Sequence, residues 1–170
     1  ADILAARTIG RRFDVIESGG VLHHLDDPME GWRALLALLR PGGFMYLGLY
    51  SALARQSVTA VRAFVAEHGY QPTAADIRRF RQDLVTIDHG LTLGNLLTSP
   101  DFFNASGCRD LFFHVREHQL NLPQIKAFLR ENDLRFLGFH LDALTLQDFR
   151  RRHPGNDALT DLDLWHAFET

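Results

Sequence analysis

The chain has one cysteine, Cys108, in 170 residues. A lone cysteine cannot close an internal disulfide, so a reducing, cytoplasmic compartment is the expectation. No stretch approaches the roughly 20 apolar residues of a membrane-spanning helix. There is no surplus of positive charge: the formal net charge is −3. A nucleic-acid partner is therefore not expected, because such binders carry a basic excess. Thirteen glycines are present, yet no two are separated by a single residue. That rules out a complete G-x-G-x-x-G dinucleotide loop, and the G-x-x-x-x-G-K-[ST] phosphate loop is missing as well. The first residue is Ala1 rather than methionine, and the text opens on apolar ADIL. A fragment or a processed chain is the expectation.

What remains is ordinary for a folded domain: 46% apolar and 23% charged residues, enough for one hydrophobic core. The first third alternates between two periodicities. Residues 13–17 (FDVIE) form a short β-branched run that predicts a strand. Asp27, Pro28 and Glu30 occupy the N-cap, first and third positions of a predicted helix. Its apolar face carries Trp32, Leu35, Leu36 and Leu39, and Pro41-Gly42-Gly43 stops it. Residues 44–50 (FMYLGLY) predict a second strand, and residues 53–68 a helix closed by Gly69. This order argues for parallel strands joined by helical crossovers.

The middle is more helical. A helix capped by Thr73 and Asp76 is expected to reach residue 87, burying Ile77, Phe80 and Leu84 and presenting Arg78, Arg79 and Arg81 outward. Residues 88–107 read as a long loop with a short helix, of the kind that forms lids or substrate-side insertions. A short helix over 109–114 and an extended piece over 117–122 follow. Pro123 opens a helix to residue 132 that buries Ile125, Phe128 and Leu129. Residues 134–141 (LRFLGFHL) predict a third strand. Two short helices, over 146–153 and 161–168, close the chain, with Thr160 and Asp163 as a capping pair. The division by sequence is a 1–70 α/β core, a 71–120 helical insertion and a 121–170 closing part.

Chemistry concentrates at SGGVLHHLDDP, residues 18–28. It follows a strand, where ligands of open α/β sheets bind outside the carboxyl ends. Glycine there lets a ligand approach the backbone. Ser18, Gly19, Gly20 and His23 are the candidates, His23 as the group able to exchange a proton near neutral pH; the adjacent His24 is expected to point elsewhere. Residues 114–118 (HVREH) match the H-x-x-E-H pattern of inverted zinc peptidases. The segment straddles an expected helix end, so both histidines on one helical face is not the expected geometry, and no metal site is assigned. The arginine run at 78–81 reads as a solvated helix face, with Arg78, Arg79 and Arg109 as weak anion contacts.

FDVIESGGVLHHLDDP followed by LLRPGGFMYLGLY resembles class I S-adenosylmethionine-dependent methyltransferases. The first block is similar to their fourth strand and its loop, the second to the turn into their fifth strand. Residues 1–4 look like the end of their third strand. The later CRDLFFHVREHQLNLPQIKAFLRENDLRFLGFHL resembles a narrower bacterial group in which the methyltransferase domain is joined to tetratricopeptide repeats.

The resemblance implies a partial Rossmann-like α/β fold: a mostly parallel sheet flanked by helices, with a helical insertion, and S-adenosylmethionine as cofactor. Asp2 would accept from the adenine amino group, and the Ile3 amide would face an adenine nitrogen. Ser18, Gly19 and Gly20 would line the methionine side, and His23 would sit near an unknown methyl acceptor, small molecule or protein. The glycine-rich first loop and the ribose-binding acid of the family would lie before residue 1. Without the strand that pairs there, the 13–17 edge would be open and self-association is expected. The alternative is a non-catalytic α/β binding or interaction module derived from the same fold; a nicotinamide-dependent oxidoreductase is disfavoured by the LHHLDDP and RPGG blocks. The 170-residue chain alone is expected to bind the cofactor weakly or not at all. Equilibrium dialysis with labelled cofactor that returned micromolar binding would contradict this.

Overall fold

The computed structural model describes residues 3–86, 93–114 and 116–170. Asp2, expected at the adenine, lies outside them, as do residues 88–92, the start of the loop expected over 88–107. The described residues form a mixed α/β chain whose one sheet has two parallel strands, β1 (Phe13–Gly19) and β2 (Leu39–Gly48). Helix α1 (Pro28–Leu36) joins them. The helices that follow are α2 (Gln56–Glu67), α3 (Ala74–Thr86), α4 (Pro100–Phe103) and α5 (Ala105–Phe113), then α6 (Leu122–Glu131), α7 (Ala143–Arg152) and α8 (Leu162–Glu169). None is long and apolar enough to cross a membrane. The chain divides into two compact units, one of residues 1–53 with 118–170 and one of residues 54–117.

In the first unit, the local chemistry explains the strand–helix–strand order. The Asp27 carboxylate accepts from the Met29 and Glu30 amides at 2.8 and 3.2 Å, and Pro28 takes the first helical position. These satisfy α1's first N–H groups. The helix ends at Leu36, earlier than the 41–43 stop suggests, so Leu39 belongs to β2 rather than to the helical face. Register explains this. Phe13 pairs with Leu39 but Val15 with Phe44, so β2 accommodates extra residues in an irregular step. Gly42 turns there with φ of 76°, and a Cβ on Gly43 would stand 2.8 Å from the Asp14 carbonyl oxygen. Pro41-Gly42-Gly43 thus shapes a strand entry. One Arg40 amino group bonds both Asp14 carboxylate oxygens at 2.7 and 2.9 Å across the step.

One sheet face carries Ile16, which packs with Leu22, Trp32, Leu35, Leu38 and Phe128; the Trp32 and Phe128 rings stack at 4.0 Å. The other is open: Val15, Phe44 and Tyr46 are each about half exposed or more. A second cluster joins α6, α7 and α8, where Phe149 stacks on Trp165 at 3.6 Å and the indole N–H donates to the Leu159 carbonyl at 3.0 Å.

Four expectations are corrected here. Residues 134–141 form no strand: Gly138 has φ of 129°, which breaks the extended run, and Phe136 and Phe139 instead turn into the Trp165 cluster. Ile3 and Leu4 do not end a strand, since a 3-10 turn spans Leu4–Ile9. Thr160 and Asp163 are not a capping pair. Asp161 is the cap of α8, accepting from the Asp163 and Leu164 amides. Beyond residue 92, the expected loop is largely helical, as a 3-10 turn (Gly94–Thr98), α4 and α5.

The second unit holds α2 to α5 around Val61, Ile77, Phe80, Leu84 and Cys108, all fully buried. Residues 77, 80 and 84 are the face read from the periodicity. Gly69 closes α2's turn at φ of 68°, as read. α2 lies within the 1–70 part of the sequence-based division, yet its apolar face packs in this unit. Burial pushes the Cys108 thiol up to about 11, so it stays protonated at neutral pH.

Phe149→Ala removes a fully buried ring that no neighbour can replace. It is expected to cost about 3–5 kcal/mol, read as a lower urea midpoint followed by Trp165 fluorescence.

Candidate functional site

The parallel strands end on one rim. Gly19 lies in register with Gly48, and a Cβ on Gly48 would stand 3.2 Å from the Gly19 Cα. The chain leaves β1 through Gly20, whose φ of 70° suits glycine. A Cβ built on Gly19 or Gly20 meets nothing within 4 Å. Both residues are exposed, so the main chain at the tip is bare. Ser18, one residue earlier, is only 6% exposed, and among the described residues its hydroxyl has no hydrogen-bond partner. Ser18 shares its strand face with Ile16 by the period-two rule, which places it on the packed side.

After the tip, a single 3-10 turn, Leu22–His24, leads toward α1. Leu22 is fully buried and anchors it. His23 is 2% exposed, and its ring stacks on Tyr50 at 3.8 Å and 19°. His24 lies against the same stack. Its ring meets His23 edge-on at 4.3 Å and Tyr50 at 6.4 Å and 89°. Residues 118–120 run beside both loops. The His118 amide donates to the His23 carbonyl at 2.8 Å, and the Leu120 amide to the Tyr50 carbonyl at 2.8 Å. The Ala52 amide donates to the Leu120 carbonyl at 3.0 Å. Three segments distant in sequence are thus tied together behind the rim.

The sequence-derived candidates are brought together unequally. Ser18, Gly19, Gly20 and His23 fall within one strand tip and its loop. Ile3 packs its half-buried side chain into the Leu22–Trp32 cluster, and its carbonyl accepts from the Ala6 amide at 3.1 Å. Neither Tyr50 nor His118 was read as a neighbour of the rim, His118 being weighed only within HVREH. An aromatic residue two positions past the strand's last glycine was the available signal for Tyr50. Nothing local marks His118, whose role is a backbone hydrogen bond.

A cleft of about 970 Å³ runs along β2 and is closed by α6 and residues 133–140. It reaches Gly48 and Tyr50 at the rim, but Ser18, Gly19, Gly20 and His23 are not among its walls. Its lining is mostly apolar, and near its far side the Tyr46 hydroxyl lies 3.2 Å from His140 Nδ1.

The HVREH residues serve other ends. His114 caps the C-terminus of α5, so the segment is not one helical turn. The Glu117 side chain is 2% exposed and held by two arginines: Arg55 Nε donates to it at 2.9 Å, and Arg62 approaches to 3.2 Å. Arg62 also donates to the His114 carbonyl. This carboxylate fastens the first and last turns of its unit. Among the described residues no group of three His, Cys, Asp or Glu side chains could hold a metal ion. Arg79 pairs with Asp76 at 3.3 Å and covers the Tyr70 ring at 5.1 Å, and Arg81 covers Phe102 at 5.8 Å. Arg78 and Arg109 are exposed.

No family model matches the chain. It is similar to an uncharacterized protein of Synechococcus sp., 26% identical over 133 residues, which are 75% of this chain and 32% of that protein. The chain thus spans about a third of the length of that protein.

Glu117→Ala leaves two mostly buried guanidinium groups without their carboxylate. It is expected to destabilise residues 54–117 by about 3–5 kcal/mol, seen as faster hydrogen exchange of α2 and α5 amides. Unchanged exchange there would show that the pair contributes nothing to holding the unit.

Proposed function

We propose that the chain is the C-terminal portion of a class I S-adenosylmethionine-dependent methyltransferase domain, with β1 and β2 as the fourth and fifth strands of a Rossmann-like sheet. The observation that carries this is the rim: two parallel strand tips, Gly19 opposite Gly48, with bare main chain at Gly19-Gly20 beside a buried Ser18 hydroxyl that lacks a partner among the described residues. An exposed glycine pair lets a ligand reach backbone groups that any side chain would shield. An unpaired buried hydroxyl costs stability unless something supplies its hydrogen bond. Both features fit a polar ligand seated at the carboxyl ends of the strands.

On this reading, Ser18, Gly19 and Gly20 hold the methionine side of the cofactor through backbone contacts, and the Ile3 amide lies toward the adenine. The cofactor supplies an electrophilic methyl group on a sulfonium. The chain's own contribution is alignment and exclusion of water, which account for much of the rate in a displacement of this kind. The His23–Tyr50 stack and the 118–120 segment stiffen the loop that carries the tip. The methyl acceptor is a small molecule or a protein, and compartment, repeat partner and self-association through the open β1 edge follow as expectations of the same reading. One observation favours a non-catalytic module from the same fold: His23, the expected proton acceptor, is 2% exposed.

The test compares affinities. S-adenosylhomocysteine is titrated calorimetrically into the longer polypeptide that the reading requires, wild type and Gly19→Val. A Cβ at Gly19 meets nothing within 4 Å, so a side chain there has room in the unliganded fold and stands in the way of an approaching ligand. At least a ten-fold loss of affinity in the variant is expected. Equal affinities would remove the rim from the binding site, and no binding by either protein would leave the module.

A further inference from the structure

We propose that the recess between α6, residues 134–136 and the turn joining α7 to α8 binds a phosphate-bearing organic molecule, with Arg130 and Arg135 holding the phosphate. This stands apart from the methyl-transfer reading and uses none of the rim residues. The recess has a volume of about 880 Å³, the size of a small-molecule site. Its walls carry Lys126, Arg130, Arg135 and Arg152, against two carboxylates among the described residues, Asp157 and Asp161. The chain as a whole has a formal net charge of −3, so this concavity is opposite in sign to the molecule that holds it. Low-dielectric walls focus such a field and draw anions inward.

The charged groups differ in what already occupies them. Lys126 pairs with Asp163. Arg152 bonds Asp148 at 2.8 Å, and its guanidinium covers the Phe168 ring at 5.0 Å. Asp161 is engaged as the cap of α8. Arg130 and Arg135 are exposed, and neither has an ion pair among the described residues. Arg130 stands in the last turn of α6, where a cation offsets the helix dipole. Arg135 lies outside every helix, so that duty does not account for it. Two guanidinium groups open to one recess suit a phosphate, because each presents planar N–H donors that match two phosphate oxygens. Half-buried Leu134, Phe136 and Leu164 line the same recess and offer apolar contact to an organic part. Those contacts favour an organic phosphate over the bare anion.

Phenyl phosphate and inorganic phosphate are the probes, titrated at low ionic strength into the isotope-labelled 170-residue chain and followed by its amide resonances. Saturable shifts at Arg135, His153 and Gly155 are expected, with phenyl phosphate bound at least three-fold more tightly than inorganic phosphate. Arg130→Gln combined with Arg135→Gln is expected to weaken phenyl phosphate at least ten-fold. Arg78→Gln combined with Arg109→Gln removes the same charge from exposed positions of the second unit and is expected to change it less than two-fold. All four arginines are exposed, so both double variants keep the fold. Shifts that do not saturate, equal affinities for the two probes, or equal losses in the two double variants each overturn the proposal; equal losses would reduce the binding to the charge of the whole chain.

Discussion

Gly19 and Gly48 meet where two parallel strands end, and the closeness of that meeting governs what surrounds it. A Cβ at position 48 would stand 3.2 Å from the Gly19 Cα, so the tips would have to ease slightly apart. With one at position 20, the chain would resist the left-handed turn that carries it away from β1. Because both are glycine, the β1 loop folds back at once and drops Leu22 into the core. That fixes where His23 and His24 emerge.

The contacts behind the rim are mostly main chain. His118, Leu120 and Ala52 use backbone groups to bind the loops after β1 and β2 to one another. Backbone pairing is tolerant of side-chain identity but strict in geometry, since each buried N–H and C=O demands a partner. The aromatic stack of His23 on Tyr50 then fills the space between the loops. A loop so held has little conformational freedom left to lose. In the second unit, the Arg55–Glu117–Arg62 group acts similarly with charge, holding the ends of one helical segment together at a nearly solvent-free carboxylate.

Sequence periodicity served best where one face of an element is buried against neighbours of the same unit. Ile77, Phe80 and Leu84 illustrate this: their spacing alone marks the face that packs. The Asp27-Pro28 start of α1 was equally readable, because a cap is satisfied within four residues. Residues 134–141 show the opposite case. Their composition is that of a strand, but a strand exists only with a partner edge, and Gly138 adopts a backbone angle that extended pairing does not allow. The 41–43 turn was read as a helix stop although it is an irregular strand entry, for the same reason: which strand lies alongside is not a local property. At the candidate site, the glycine pair and the serine before it were legible as a strand-end turn. The burial of His23 was not, since adjacent residues of one type carry no label for which is covered.

The amino-acid sequence by itself determined the strand–helix–strand order of the first third, the caps and stops that punctuate it, the buried face of α3 and the location of the glycine turn. Each of these follows from propensities and spacings acting over a few residues. Only the tertiary structure decided that residues 134–141 form no strand, that α2 packs with residues 54–117, that Glu117 is enclosed by two arginines, and that the Tyr50 ring stacks on a buried His23. Those outcomes depend on which distant segments compete for the same volume and the same hydrogen bonds, and that competition is settled only when the whole chain packs.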